Sequence, residues 1–189
     1  MILNDPEIRE ILKQYLKRLP VKPTAILDEL HVHRGNAIAD VVAVYNSPHC
    51  YEIKGDNDVI CRIEKQGKYY DLAFNKITLV TTSKHEKNAL KKAPSHWGII
   101  VIESIENKIK IKHLKKAKRN PFFDKNIAIQ TLWRNEMLSI IEENNLDISL
   151  KMNKIDLASN LAKQLNIQTI HTSLAKKLIE RTTFKIQNF

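Results

Sequence analysis

The chain is poor in the residues that would make it anything but an ordinary folded domain. It has two cysteines in 189 residues, Cys50 and Cys61, with ten residues between them and no partners at metal-ligand spacing. That excludes a disulfide scaffold and a cysteine-based zinc module, and without a secretion signal both read as reduced thiols. Four glycines and six prolines are too few for a collagenous or linker-like chain. No apolar run reaches 18 residues, so no membrane span is expected. The opening "MILNDPEIREILKQYLKR" carries acidic residues and helical periodicity and lacks a small-residue cleavage site. A cytoplasmic protein with no membrane association is therefore expected. Acidic residues are also in deficit, 21 against 31 Lys and Arg, giving a net charge of +10. Most of the excess falls before residue 126. An anionic partner is expected, and nucleic acid is the commonest one.

What is present alternates between two periodicities. "DPEIREILKQYLKRL" places Ile8, Ile11, Leu12, Leu16 and Leu19 on one helical face, with Asp5 as N-cap and Pro6 at the first helical position. "PTAILDELHV" predicts a second short helix with Glu29 near its last turn, broken at Gly35. "AIADVVAVY" and "HCYEIKG" predict two strands joined through the turn residues Asn46 to Pro48, a hairpin. "DNDVICRIEKQGKYYDLAF" predicts a helix capped by Asp56 or Asp58. "KITLVTT" reads as a buried strand, "SKHEKNALKKAP" as a polar helix, and "WGIIVIES" and "NKIKIKHLKK" as two more strands. After "NPFFD" the pattern becomes helical: one long helix over "NIAIQTLWRNEMLSIIEENN", then two more. The expected organisation is an α/β body over residues 1–120 and a helical C-terminal extension over 121–189, packed on it.

The hairpin carries the chemistry. Glu52 and Lys54 are two apart in a strand and so share a face. Asp40 is about as far before the turn as Lys54 is after it, so antiparallel pairing brings Asp40 level with Glu52 and Lys54. Glu29, from the element before, is within reach. Converging carboxylates with a backbone carbonyl suit a hard cation such as Mg²⁺ or Mn²⁺. Such an ion lowers the pKa of a bound water and offsets charge on a phosphate. Lys54 beside it would orient or deprotonate that water, or stabilise the phosphate charge; the residue types leave these roles open. The bland reading is a surface strand with an incidental Glu–Lys pair. It is weakened by the apolar residues around the charges and by Gln66 and Tyr70, an i, i+4 pair on the next helix.

"GNAIAD" (Gly35 to Asp40), "EIK" (Glu52 to Lys54) and "QGKYY" (Gln66 to Tyr70) resemble, in that order, the PD-(D/E)XK nuclease superfamily. The last element is similar to the Q-x-x-x-Y motif of the RecB-like branch. "HWGIIVIE", "NPFFD" and "LWRNEML" also resemble a group of small bacterial and phage proteins within that superfamily. One departure is Ala39, where the motif has proline. The resemblance implies a restriction-endonuclease-like core, a mixed central sheet flanked by helices, followed by the small helical extension. It implies a metal-dependent nuclease acting on phosphodiester bonds, of DNA foremost. Asp40 and Glu52 would be metal ligands with Lys54 catalytic, the Ile53 carbonyl would complete the shell, and Glu29 would match the extra acid carried on a helix. Gln66 and Tyr70 would stand beside the site and contact substrate phosphate or Lys54. Membership does not guarantee cleavage; the alternative is a non-cleaving nucleic-acid-binding component of a repair, defence or phage DNA-processing complex. A homodimer or partner proteins are compatible with either.

Arg34, Arg62 and Lys65 lie near the site in sequence and are candidates to grip phosphate, against the alternative of a solvated surface. "KIKIKHLKKAKR" either tracks a phosphate backbone or is an edge strand made soluble by lysines. Trp133, in a helical apolar stripe, is expected in the core.

Overall fold

The computed structural model describes residues 2–106 and 108–187. Its centre is a six-stranded sheet in sequence order, β1 (Ala25–Val32), β2 (Ala37–Val44), β3 (Pro48–Lys54), β4 (Lys76–Thr82), β5 (Gly98–Ile105) and β6 (Lys108–Lys115). β3, β4 and β5 run parallel, and the other neighbours pair antiparallel, so the sheet is mixed. Helices α1 (Asp5–Arg18), α2 (Ile63–Ala73), α3 (Glu86–Lys92), α4 (Lys125–Ile129), α5 (Arg134–Glu143), α6 (Lys154–Gln164) and α7 (Ile167–Gln187) flank it. The architecture is the mixed α/β one implied by the sequence. No helix among the described residues is long and apolar enough to cross a membrane.

Strand alternation sorts the core into two layers. Odd-numbered residues of β2 and β3, Val41, Ala43, Tyr51 and Ile53, join Ile8, Leu12 and Leu16 of α1 on one face. Even-numbered Val42, Val44 and Cys50 join Ile63, Tyr70, Trp97 and the C-terminal helices on the other. Glu52 and Lys54 are even-numbered and share the Cys50 side of β3, facing α2; in β2 the alternation breaks at Asp40, since Ala37 and Ala39 join the same cluster as Val42 and Val44.

Three expectations about elements are corrected. "PTAILDELHV" is not a helix: Ala25–Val32 is the edge strand β1, paired with β2 along its length. The helix expected to start at Asp56 or Asp58 starts later, with a 3-10 turn at Ile60–Arg62 leading into α2. Both carboxylates are engaged elsewhere. Asp56 accepts from the Leu3 N–H and the Thr82 hydroxyl, and Asp58 accepts from the Gly55 N–H. The long helix after "NPFFD" is two helices, α4 and α5, separated at Gln130–Trp133. The Thr131 hydroxyl donates back to the Ala128 carbonyl, and Glu136 accepts the Trp133 N–H at 2.6 Å, which starts α5 afresh.

Candidate functional site

β2 and β3 are laddered from Val44↔Pro48 to Val41↔Tyr51 and no further. At the next position the Asp40 side chain intervenes: its Oδ2 accepts the Ile53 N–H at 2.7 Å. The strands splay there, and because the N–H and C=O of one strand residue leave the same edge, the Ile53 carbonyl faces the same opening. Continuing the register places Asp40 level with Glu52 on one side and with Glu29 on the other, where the β1–β2 ladder skips that one pair. Three acidic residues thus stand in one row across three strands.

The structure brings two of them together. Glu52 is fully buried, and its Oε1 accepts from Lys54 Nζ at 2.5 Å. Its Oε2 is buried with no hydrogen-bond partner. The Tyr70 hydroxyl lies beside Glu52 but donates to the Ile38 carbonyl at 2.7 Å. Gln66, one turn earlier on α2, also has a buried and unpartnered oxygen, Oε1. Burial, reinforced by the negative charge of Glu52, pushes the Asp40 carboxyl up to about 7 despite the Ile53 N–H. For Lys54 burial acts downwards, but the Glu52 carboxylate and then Asp40 outweigh it, so its pKa is raised and it stands as an ammonium. Lys54 thus pairs with Glu52, the second cation within ion-pair distance is Arg9 at Asp40, and Glu52 Oε2 is left without a partner.

Glu29 does not join them. It lies on a strand rather than a helix, its backbone is left-handed (φ 55°), and its side chain is 71% exposed. Arg9 of α1 fills the space between. It donates to the Asp40 carbonyl at 2.9 Å, approaches Asp40 Oδ1 at 3.7 Å and reaches Glu29 at 3.9 Å. Arg9 has no signal in the sequence beyond an i, i+4 pair with Asp5; its role depends on a contact 31 residues away. Tyr70, expected to contact phosphate or Lys54, is corrected: it is 0% exposed and supports Ile38 from inside. Lys65 is exposed on α2. Arg34 is exposed beyond the end of β1, and its Nε donates to Gln130 at 3.3 Å. The side chain of Arg62 lies outside the described residues.

Among the described residues no three His, Cys, Asp or Glu side chains form a metal-holding group. The donor set is two carboxylates and a carbonyl. Its buried unpartnered oxygen and the mutual repulsion of Asp40 and Glu52 fit a hard divalent cation that keeps several waters.

Fold and site together define an α/β protein with a charged cluster where two central strands part. The family described as "Bacteriophage P4 protein cII" matches residues 3–189, and the chain belongs to it. Protein cII of Enterobacteria phage P4 is 23% identical over 170 residues, 89% of this chain. The chain spans 64% of the length of that relative. No solved structure matches.

Proposed function

We propose that the protein is a metal-dependent nuclease of the PD-(D/E)XK type, acting on DNA phosphodiesters in a cytoplasmic setting. One observation carries this reading. The splayed end of β2 and β3 holds a buried carboxylate oxygen with no partner, beside a second carboxylate whose pKa is raised to about 7. Such an arrangement is costly unless a cation completes it. Asp40, Glu52 and the Ile53 carbonyl would hold Mg²⁺ or Mn²⁺. When bound, the ion supplies an activated water and charge neutralisation at phosphate. Lys54, held protonated by Glu52, orients that water and stabilises charge on phosphate rather than acting as a base. Gln66, one turn before Tyr70 on α2, offers a further buried acceptor, its Oε1.

The test is cleavage of supercoiled plasmid and of a labelled single strand with Mg²⁺, Mn²⁺ or EDTA, beside Lys54→Ala and Asp40→Asn. Metal-dependent cutting that falls by at least a hundredfold in both variants is the expected outcome. Cutting unchanged in both sinks the assignment. A second reading, a binding component that does not cut, is favoured by the Lys54–Glu52 contact at 2.5 Å, which already neutralises one carboxylate. Salt-sensitive DNA binding with no cutting under any metal would select it.

A further inference from the structure

A pocket of about 430 Å³ opens between the edge strand β1 and the C-terminal helices. Glu29 lies at its rim, and Arg34, Gln130, Trp133, Lys154 and Arg181 line it. Four observations on it are independent of one another.

Trp133 was expected in the core but is 51% exposed. It caps the N-terminus of α5 with its ring turned outward. The Arg181 guanidinium lies over the ring at 4.2 Å and is itself held by both oxygens of Glu136. One face of the indole is therefore covered, and the accessible area is the rest of a large, rigid aromatic surface. Next, two of its cations stand outside ion pairs, although the carboxylates of Asp28 and Glu29 line the same pocket. Among the described residues neither Arg34 nor Lys154 has a carboxylate within ion-pair distance, whereas the rim carboxylates Asp28 and Glu29 face Lys13 and Arg9 of α1. Burial, and then the charge of Arg181, lowers the Lys154 pKa, and the more distant Glu136 carboxylate offsets this only in part. Thirdly, the backbone that carries Arg34 is constrained: His33, Arg34 and Gly35 take left-handed backbone in succession (φ 48°, 60° and 88°). Conformations of that kind persist only where surrounding structure holds them. Finally, Glu29 at the rim stands level with Asp40 across the β1–β2 pair, about one strand spacing (~4.8 Å) away.

We propose that this pocket takes one unstacked nucleotide of a single strand, its base against Trp133 and its phosphate between Arg34 and Lys154. The inference rests on the nuclease reading above, in which the strand runs from this pocket past Glu29 to Asp40 and Glu52. An aromatic platform beside uncompensated cations is the recurring chemistry of single-strand binding, because every base has a face to stack and every nucleotide a phosphate. A duplex cannot supply it, since its bases are stacked and paired. Gln130, whose amide nitrogen donates to Asn126, keeps its oxygen towards Arg34 and holds that guanidinium at the mouth.

The protein carries its own probe. Of its two tryptophans Trp97 is fully buried and Trp133 is half-exposed, so quenching by an added base reports on Trp133. A short oligothymidylate titrated in EDTA, where no metal-dependent cutting interferes, is expected to quench the fluorescence saturably, and a duplex of equal length is not. Lys154→Gln and Arg34→Gln are each expected to weaken binding about fivefold to tenfold. Trp133→Phe should abolish the signal yet retain binding of a fluorescently tagged strand, whereas Trp133→Ala weakens it tenfold or more. Circular dichroism of each variant separates lost binding from lost folding, and the Phe and Gln variants remain informative if the Ala variant unfolds. Absence of quenching, or binding indifferent to Arg34 and Lys154, overturns the inference. Metal-dependent cutting without quenching would remove this pocket and leave the nuclease reading standing; quenching without cutting under any metal would do the reverse.

Discussion

Asp40 is the residue at which the sheet gives up regularity. It leaves the ladder on both sides, spends one oxygen on the Ile53 N–H, and shares buried space with Glu52. Its carboxyl is raised to about 7, above the ordinary carboxylate value that the unfolded chain would have. The folded state therefore holds this proton more tightly than the unfolded one. The contribution to stability is complete below about pH 4 and is lost as pH rises through 7. The difference is on the order of a few kcal/mol. In EDTA the midpoint of urea unfolding should accordingly fall between pH 5 and pH 8, and Asp40→Asn should flatten that fall. Mn²⁺ should restore the wild-type midpoint at pH 8 and leave Asp40→Asn unmoved, because a bound ion stabilises only the state that binds it. A wild-type midpoint indifferent to both pH and metal would remove the electrostatic basis of the site. At this scale much was legible: Asp40, Glu52 and Lys54 follow from strand periodicity and a hairpin. Glu29 was expected at the end of a helix and within reach of the site; it lies on a strand, level with Asp40 but exposed, and neither its left-handed backbone nor the intrusion of Arg9 is written in local sequence.

Elements were legible where one periodicity ruled. β2 to β6 have apolar residues in strand patterns, and α1 has a clean helical stripe ending in buried Ile8, Leu12 and Leu16. β1 was misread because Ile26, Leu27 and Leu30 fit helical spacing, while its burial as a strand is irregular around the exposed pair Asp28 and Glu29. The break between α4 and α5 was invisible because the N-cap of α5 is Trp133, which is none of the Ser, Thr, Asp or Asn residues that mark a helix start. Element contacts also position the site. β3 ends at Lys54, and at Gly55 the chain passes so close to the start of α1 that a Cβ would lie 2.8 Å from the Leu3 carbonyl and 2.9 Å from Asn4 Cα. These are backbone atoms and cannot swing aside. Gly55→Ala should therefore cost roughly 1–3 kcal/mol, as overpacking does. It should also displace Lys54, the next residue back. The expected outcome is a lower urea midpoint together with a loss of cutting larger than the loss of folded protein. A Gly55→Ala variant of wild-type stability would show that α1 yields without disturbing β3.

For the whole molecule, the question is whether residues 121–189 are an appendage. Composition suggested a boundary near residue 120, where strands give way to helices and most of the basic excess ends. The packing runs across that boundary. Val42, Tyr70 and Trp97 belong to the same apolar cluster as Ala128, Leu132, Met137, Leu161 and Leu174. Polar contacts cross it too: Arg34 Nε donates to the Gln130 side-chain oxygen, the Phe122 N–H donates to the Asn120 side chain, and the Asp124 N–H donates to the Leu72 carbonyl. The face of the sheet opposite α1 would keep α2 but lose the cover of α4 to α7. Apolar area buried on a domain of this size supplies the main favourable contribution to folding, and net stability is only about 5–15 kcal/mol. Removing half of one layer exceeds that margin. A fragment of residues 1–120 is therefore expected to lack a cooperative thermal transition and to bind a hydrophobic dye, while the full chain unfolds in one step. Adding residues 121–189 as a separate fragment should restore the transition if the two halves are one core cut in two. A fragment 1–120 that unfolds cooperatively by itself, with the Asp40–Glu52 cluster still responsive to Mn²⁺, would mean instead that the helices are an addition to a self-sufficient sheet.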